Sequence, residues 1–187
     1  MHTLESENQV DQNIAPQSNN IQEMLINGLQ CHEYAQGTIR IFSWFRSRDY
    51  VASQPDKIYI FWDNTADRLV VAPSTKTQAV IRGLPNAYGI DTKHFKGKED
   101  ASYLTEADLD TFITYFDEEI KNLLALQASG KTLVFPEAGI GTWAAKLAEK
   151  APSLLVYINR TLFQTFGFDN MAHAETEQYV NYYKKKK

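Results

Sequence analysis

The stretch Lys131 to Pro152, KTLVFPEAGIGTWAAKLAEKAP, constrains the fold more than any other part of the chain. Leu133, Val134 and Phe135 form a short apolar run that ends at Pro136. The turn Gly139-Ile140-Gly141-Thr142 follows, and then an Ala- and Lys-rich segment with helical character. This order predicts a buried strand that delivers a glycine loop to a helix. In open α/β sheets ligands bind at the carboxyl ends of strands, and consecutive N–H groups at a glycine turn suit phosphate oxygens.

The rest of the sequence supplies the elements such a strand needs. Thr38 to Phe45 alternates, with Ile39 and Ile41 on one face and Phe42 and Trp44 on the other, which predicts a strand covered on both sides. A second strand, Lys57 to Trp62, runs into Asp63-Asn64. Leu69 to Ala72 reads as a strand-like segment, Thr77 to Arg82 as a short helix closed by Gly83, and Ala87 to Thr92 as a further strand. The clearest helix runs from Thr105 to Ser129. Thr105 and Asp108 have capping-box spacing, Leu104 can staple against Leu109, and Leu109, Phe112, Ile113, Phe116, Ile120, Leu123 and Leu124 make the buried stripe. Pro152 opens a last helix that stops near Gly167, with Leu155, Ile158 and Leu162 inward. Asn20 and Glu23 also have capping-box spacing, and Ile21, Met24, Leu25 and Leu29 share a helical face, so a short helix is expected before Gly37.

These elements predict one three-layer α/β domain over residues 20–167, with a mixed, mainly parallel sheet flanked by helices. Residues 1–19, rich in Asn, Gln, Ser and Glu, are expected to be a disordered arm, and 168–187 a Tyr- and Lys-rich tail ending in Lys184 to Lys187. Cys31 is the single cysteine, so a disulfide within the chain and a cysteine-based metal centre are both excluded. A net charge of -4 and a pI near 5.6 argue against broad capture of nucleic acid or of an anionic membrane. With no long apolar run and no signal-like N-terminus, a cytoplasmic location is expected.

The glycine loop can cradle a phosphate or diphosphate through its N–H groups, with the Thr142 hydroxyl as a further donor. Lacking both a P-loop lysine and a third glycine, it points away from triphosphate hydrolysis and the dinucleotide fingerprint. The plain alternative is a tight connection between strand and helix. Asp63 and Asn64 are binding candidates by position, or else a turn bonded to its own backbone. His94, with Asp91 and Lys93, is a candidate for acid or base chemistry, or a surface histidine. Cys31, His32 and Glu33 are adjacent rather than spaced to converge, so no metal site and no cofactor is called for. Trp143 can stack on a base or plug the core.

Taken together, FWDN, QAVIRGLPNAYGIDTK, the Leu104-Thr105 helix start and LVFPEAGIGT followed by KLAEKAP resemble a group of uncharacterised proteins common in bacteriophages, over roughly Ile58 to Leu162. The ending is also similar to the Phe-Pro-x-x-x-x-Gly strand and loop by which macrodomains hold the diphosphate of ADP-ribose. The resemblance implies a macrodomain-like fold and a nucleotide-like small-molecule ligand, with Asp63, Asn64, Gln78, Asn86, Gly139, Ile140, Gly141 and Thr142 as ligand-binding residues. Three positions depart from the pattern: Trp62 and Trp143 stand where glycines are expected, and Ser74-Thr75-Lys76-Thr77 stands where a glycine loop would precede Gln78. Two functions are therefore carried forward: binding, with or without hydrolysis, of ADP-ribose or a related nucleotide adduct, and non-enzymatic inhibition of a host protein by surface contact.

Overall fold

A computed structural model describes residues 21–26, 29–43, 47–70, 73–74 and 78–172. The expected arm over 1–19, Trp44, Thr75 to Thr77 and the Tyr-Lys end of the tail lie outside the described residues. Six strands form one sheet: β1 (Gln22–Ile26), β2 (Leu29–Gln36), β3 (Ile39–Phe42), β4 (Lys57–Asn64), β5 (Ala87–Lys93) and β6 (Thr132–Pro136), in the order β1-β2-β3-β6-β4-β5. The last four in that order are mutually parallel, whereas β1, β2 and β3 pair antiparallel. The expected α/β architecture with a mixed, mainly parallel sheet is the one observed.

The helices are α1 (Arg48–Ala52), α2 (Thr65–Val70), α3 (Leu109–Ala128), α4 (Leu147–Lys150) and α5 (Pro152–Phe166). On one face of the sheet, Ile39, Ile41, Ile58, Ile60, Leu133 and Phe135 pack against α3, α4 and α5. On the other, Phe42, Tyr59, Phe61 and Val134 meet Val51 of α1 and a 3-10 turn at Gln78–Ile81. Alternation along each strand therefore feeds two cores, as expected where both faces are covered. The α3 start is as read: the Thr105/Asp108 capping box is formed, through a 3-10 turn at Glu106–Asp108. Phe112, Phe116, Ile120 and Leu123 are buried, but Leu124, expected in the stripe, is 41% exposed because it lies past the edge of the face that meets the sheet. Gly167 caps α5 in the left-handed region, φ 70, as a C-terminal glycine does. Packing continues beyond it, since Phe168 stacks on Phe135 with centroids 4.7 Å apart.

Two sequence readings are corrected. The expected N-terminal helix is a hairpin, β1 and β2, registered so that Ile26 faces Leu29. Pairing of β2 with β3 overrides the helical spacing, because it buries Cys31 and Glu33, two residues apart, on one face of β2. The sequence does carry the hairpin signal, Asn27-Gly28 between the two strands. Likewise Leu69 and Val70, read as a strand, end α2 and are exposed. Asn64 starts a helix directly after β4, its Oδ1 accepting from the Asp67 N–H at 2.9 Å, so the following residues are wound before they can extend.

The hairpin is tied in by a polar group within the second core. The fully buried Glu33 carboxylate accepts from Arg40 Nε and Lys57 Nζ, each at 2.5 Å, from the Tyr59 hydroxyl at 2.9 Å and from the Tyr50 hydroxyl at 3.2 Å. Burial raises its pKa, but the Lys57 and Arg40 hydrogen bonds outweigh this and hold the carboxyl below its ordinary value. For the other core, Phe116→Ala should cost roughly 3 to 5 kcal/mol, because the ring is fully buried and stacked on Phe112. Leu124→Ala should cost less than about 1 kcal/mol. Urea denaturation of both variants checks the assignment of the α3 face.

Candidate functional site

The connections leaving β4 and β6 part to opposite faces of the sheet. After β4 the chain passes through α2 to the 3-10 turn on the α1 face, and after β6 it passes into α4 and α5 on the other. The strands are neighbours, so their carboxyl ends form a switch point of the kind at which parallel α/β sheets place ligands in a crevice. A bulge in the β4–β5 pairing at Asp63/Asn64 marks the same place.

The structure brings most of the predicted residues to this end, but many are already engaged. Asp63, 1% exposed, is clasped by Arg82, whose Nε lies 3.1 Å from both carboxylate oxygens and whose Nη2 also donates to Oδ1. Asn64 caps α2 and its Nδ2 donates to Asp67 Oδ2 at 3.0 Å, while the Asn64 N–H donates to Asp63 Oδ1 at 2.8 Å. These are the self-bonded turn interactions that formed the plainer reading of the pair. Gln78 Oε1 accepts from the Trp62 N–H at 3.2 Å. Asn86 does not join them: it precedes β5 at the opposite end of the sheet, where its Nδ2 donates to the carbonyls of Val51 and Gln54 at 2.7 and 2.9 Å.

The glycine loop is partly filled from within. The Ile140 N–H donates to Asn170 Oδ1 at 2.7 Å, and Asn170 Nδ2 returns a bond to the Ile140 carbonyl at 2.8 Å. The Gly139 N–H bonds the Pro136 carbonyl, and the Thr142 hydroxyl donates to the Ala138 carbonyl at 2.6 Å. Gly139 and Gly141 have φ of 85 and 79, and a Cβ on either would strike the Asn170 carbonyl or Leu147 Cδ1 at 2.3 and 2.5 Å. Both glycines are thus required by packing alone. The N–H groups of Gly141 and Thr142, however, have no acceptor among the described residues. Trp143 holds φ 56, a left-handed backbone that glycine adopts more readily, while carrying an indole. Lys146, φ 51, is the other non-glycine in that region among the described residues.

A second polar group lies at the end of β5. Asp91 is buried; its Oδ2 meets Arg68 Nη2 at 3.1 Å and accepts from the Thr65 hydroxyl at 3.2 Å, and Oδ1 is buried with no partner among the described residues. The Tyr115 hydroxyl bonds the Asp91 N–H at 2.8 Å. Burial, opposed by Arg68 and reinforced by the charge of Asp63, pushes the Asp91 carboxyl up to about 6. His94 turns away, with Nε2 3.5 Å from Asp108 Oδ2, so it does not form an acid–base pair with Asp91. Arg82, Arg68, Tyr115 and Asn170 were not foreseen; each acts across the fold, and no spacing in the sequence announces them. Among the described residues no group of three or more His, Cys, Asp or Glu is placed to hold a metal ion.

The Asp91 shift has a consequence for stability. A carboxyl whose folded pKa is raised stabilises the fold below its unfolded value near 4, and that contribution is lost as pH rises through about 6. Asp91→Asn should remove the loss. Between pH 4 and pH 7 the stability of the variant should improve on wild type by about 1 to 3 kcal/mol. Urea denaturation at intervals across this range would show no such drift if Asp91 titrated normally.

No curated protein and no solved structure matches the chain. One family does, over residues 41–161, a span that holds β4, β5, β6, the glycine loop and most of α5. On that match, which covers more than half of its length, the chain belongs to DUF7831, a family of unknown function.

Proposed function

We propose that this chain is a macrodomain-like module that binds a phosphate-bearing nucleotide, ADP-ribose or a relative of it, in the crevice between the loops leaving β4 and β6. The observation that carries the reading is the pair of backbone donors at Gly141 and Thr142, which lack acceptors among the described residues in a turn at the carboxyl end of a central parallel strand. Main-chain donors there are what phosphate oxygens take. Buried residues seldom leave such donors unmet without a water or a ligand. The two phosphate donors expected of Ile140 and the Thr142 hydroxyl are spent inside the loop, which narrows the contact to the last two N–H groups. Binding is proposed rather than catalysis, because Asp63 is neutralised by Arg82 and His94 is directed elsewhere.

A glycine substitution cannot test this, since a Cβ at Gly141 would disturb Leu147 whether or not a ligand binds. Thr142 offers a cleaner probe. Its φ of -84 lies near the value proline imposes, so Thr142→Pro deletes the N–H with little demand on the backbone. Thr142→Ala, which removes only the internally bonded hydroxyl, is the control. In calorimetry with ADP-ribose the proline variant should bind about tenfold or more weakly than the alanine variant, a charge-assisted hydrogen bond being worth roughly 1.5 to 3 kcal/mol. Equal affinities, with folding verified by circular dichroism, would remove the loop from the site. If the wild type binds no nucleotide at all, inhibition of a host protein by surface contact replaces this reading.

A further inference from the structure

Three lysines from separate segments gather around one buried tyrosine. Lys93, ending β5, has its Nζ 4.4 Å from the centroid of the Tyr103 ring; Lys146, just past the glycine loop, and Lys150, at the end of α4, have theirs at 5.6 and 5.5 Å. Cation–π attraction and coverage of the ring by lysine stems account for one such contact. They do not account for the charge balance. Lys150 meets Asp100 at 3.4 Å and Glu149 at 3.6 Å. Neither Lys93 nor Lys146 has a carboxylate within ion-pair distance among the described residues. Lys93 is also buried, 6% exposed, with the Gly97 carbonyl, 2.6 Å from its Nζ, as its hydrogen-bond partner.

A buried ammonium normally has a counter-charge, because desolvation without one is costly. Burial first and then the Lys146 charge hold the Lys93 ammonium below its ordinary pKa, with Glu99 opposing, so the two lysines act on one another. Lys146 owes its position to the strained loop, whose Gly141 carbonyl accepts from the Leu147 N–H at 3.4 Å. The backbone carrying Lys146 is thus held against the loop whose Gly141 and Thr142 N–H groups have no acceptor among the described residues.

We propose that Lys93 and Lys146, backed by Lys150, form an anion site that receives a phosphate or diphosphate group together with the Gly141 and Thr142 N–H groups. This extends the reading given under Proposed function and commits the same crevice to the anionic part of its ligand. The anion supplies Lys93 and Lys146 with a direct ion-pair partner.

Calorimetry of the full chain with ADP and with inorganic pyrophosphate, at low and high salt, tests it on wild type, Lys93→Gln, Lys146→Gln and Lys150→Gln. Lys93→Gln and Lys146→Gln should each weaken binding at least tenfold and flatten its salt dependence, with a smaller loss for Lys150→Gln. Should Lys93→Gln fail to fold, the more exposed Lys146→Gln carries the test. If ADP binds wild type and these variants within twofold of one another, the lysine site is overturned and the nucleotide reading stands. If pyrophosphate binds in a lysine-dependent way while ADP and ADP-ribose do not, the anion site stands and the nucleotide reading falls. If wild type binds none of them, both fall.

Discussion

The fold depends on the insertion of β6 between β3 and β4. Arg40 to Phe42 pair with Val134 to Pro136 on one side, and Lys57 to Tyr59 pair with Thr132 to Val134 on the other. Leu133 and Phe135 look into the α3–α5 core while Val134 looks into the α1 core, so consecutive residues of one strand serve both. Without β6 the strands β1-β2-β3 and β4-β5 would be two separate sheets with edges unpaired. Backbone donors left there would need water, and both cores would lose their middle. The strand that completes the sheet also carries the glycine loop, so order at the loop is tied to the most buried element of the chain.

How much of this could be read from the sequence follows from how local each determinant is. The strand at Leu133 to Phe135, the α3 start at Thr105 and Asp108, and the stop at Gly167 are set within a few residues, and they lie where the sequence placed them. The hairpin was misread because Ile21, Met24, Leu25 and Leu29 also suit a helix, and only the partner strand β3 decides between the two. Glu33 shows the same limit. Its four donors come from Arg40, Tyr50, Lys57 and Tyr59, and nothing in its neighbourhood of sequence indicates that a buried carboxylate will be satisfied from so far away.

At the site, residue type and strand position were legible, whereas availability was not. Asp63 and Asn64 stand at the carboxyl end of β4 as their position required, yet Arg82 takes one and the first turn of α2 takes the other. The glycine loop follows β6 as expected, yet Asn170 from beyond α5 occupies part of it. A side chain's hydrogen-bonding capacity is finite, and contacts made across tens of residues spend it before any ligand arrives. Among the described residues, subtraction of those contacts leaves at this end two N–H groups in the loop, one Asp91 oxygen, and two ammonium groups with no carboxylate at ion-pair distance.

These leftovers fall at the carboxyl end of the sheet: the two donors and Lys146 follow β6, while Lys93 and the Asp91 acceptor lie at the end of β5. Each is unfavourable to a protein that has only its own stability to serve. An unmet buried polar atom costs about 1 to 3 kcal/mol against a total that is commonly 5 to 15. Elsewhere the chain does satisfy such groups, as the four donors on Glu33 and the double clasp on Asp63 demonstrate. Inability to pair buried charge is therefore not a general property of this sequence; among the described residues a further unmet buried atom, the neutral Asn86 Oδ1, lies at the opposite end of the sheet. A nucleotide has the complementary pattern, phosphate oxygens at one end and hydroxyl or amino donors at the other. The proposed ligand would thus meet the loop donors, the lysines and the Asp91 oxygen with one molecule, whereas a simple anion would leave the Asp91 oxygen unmet.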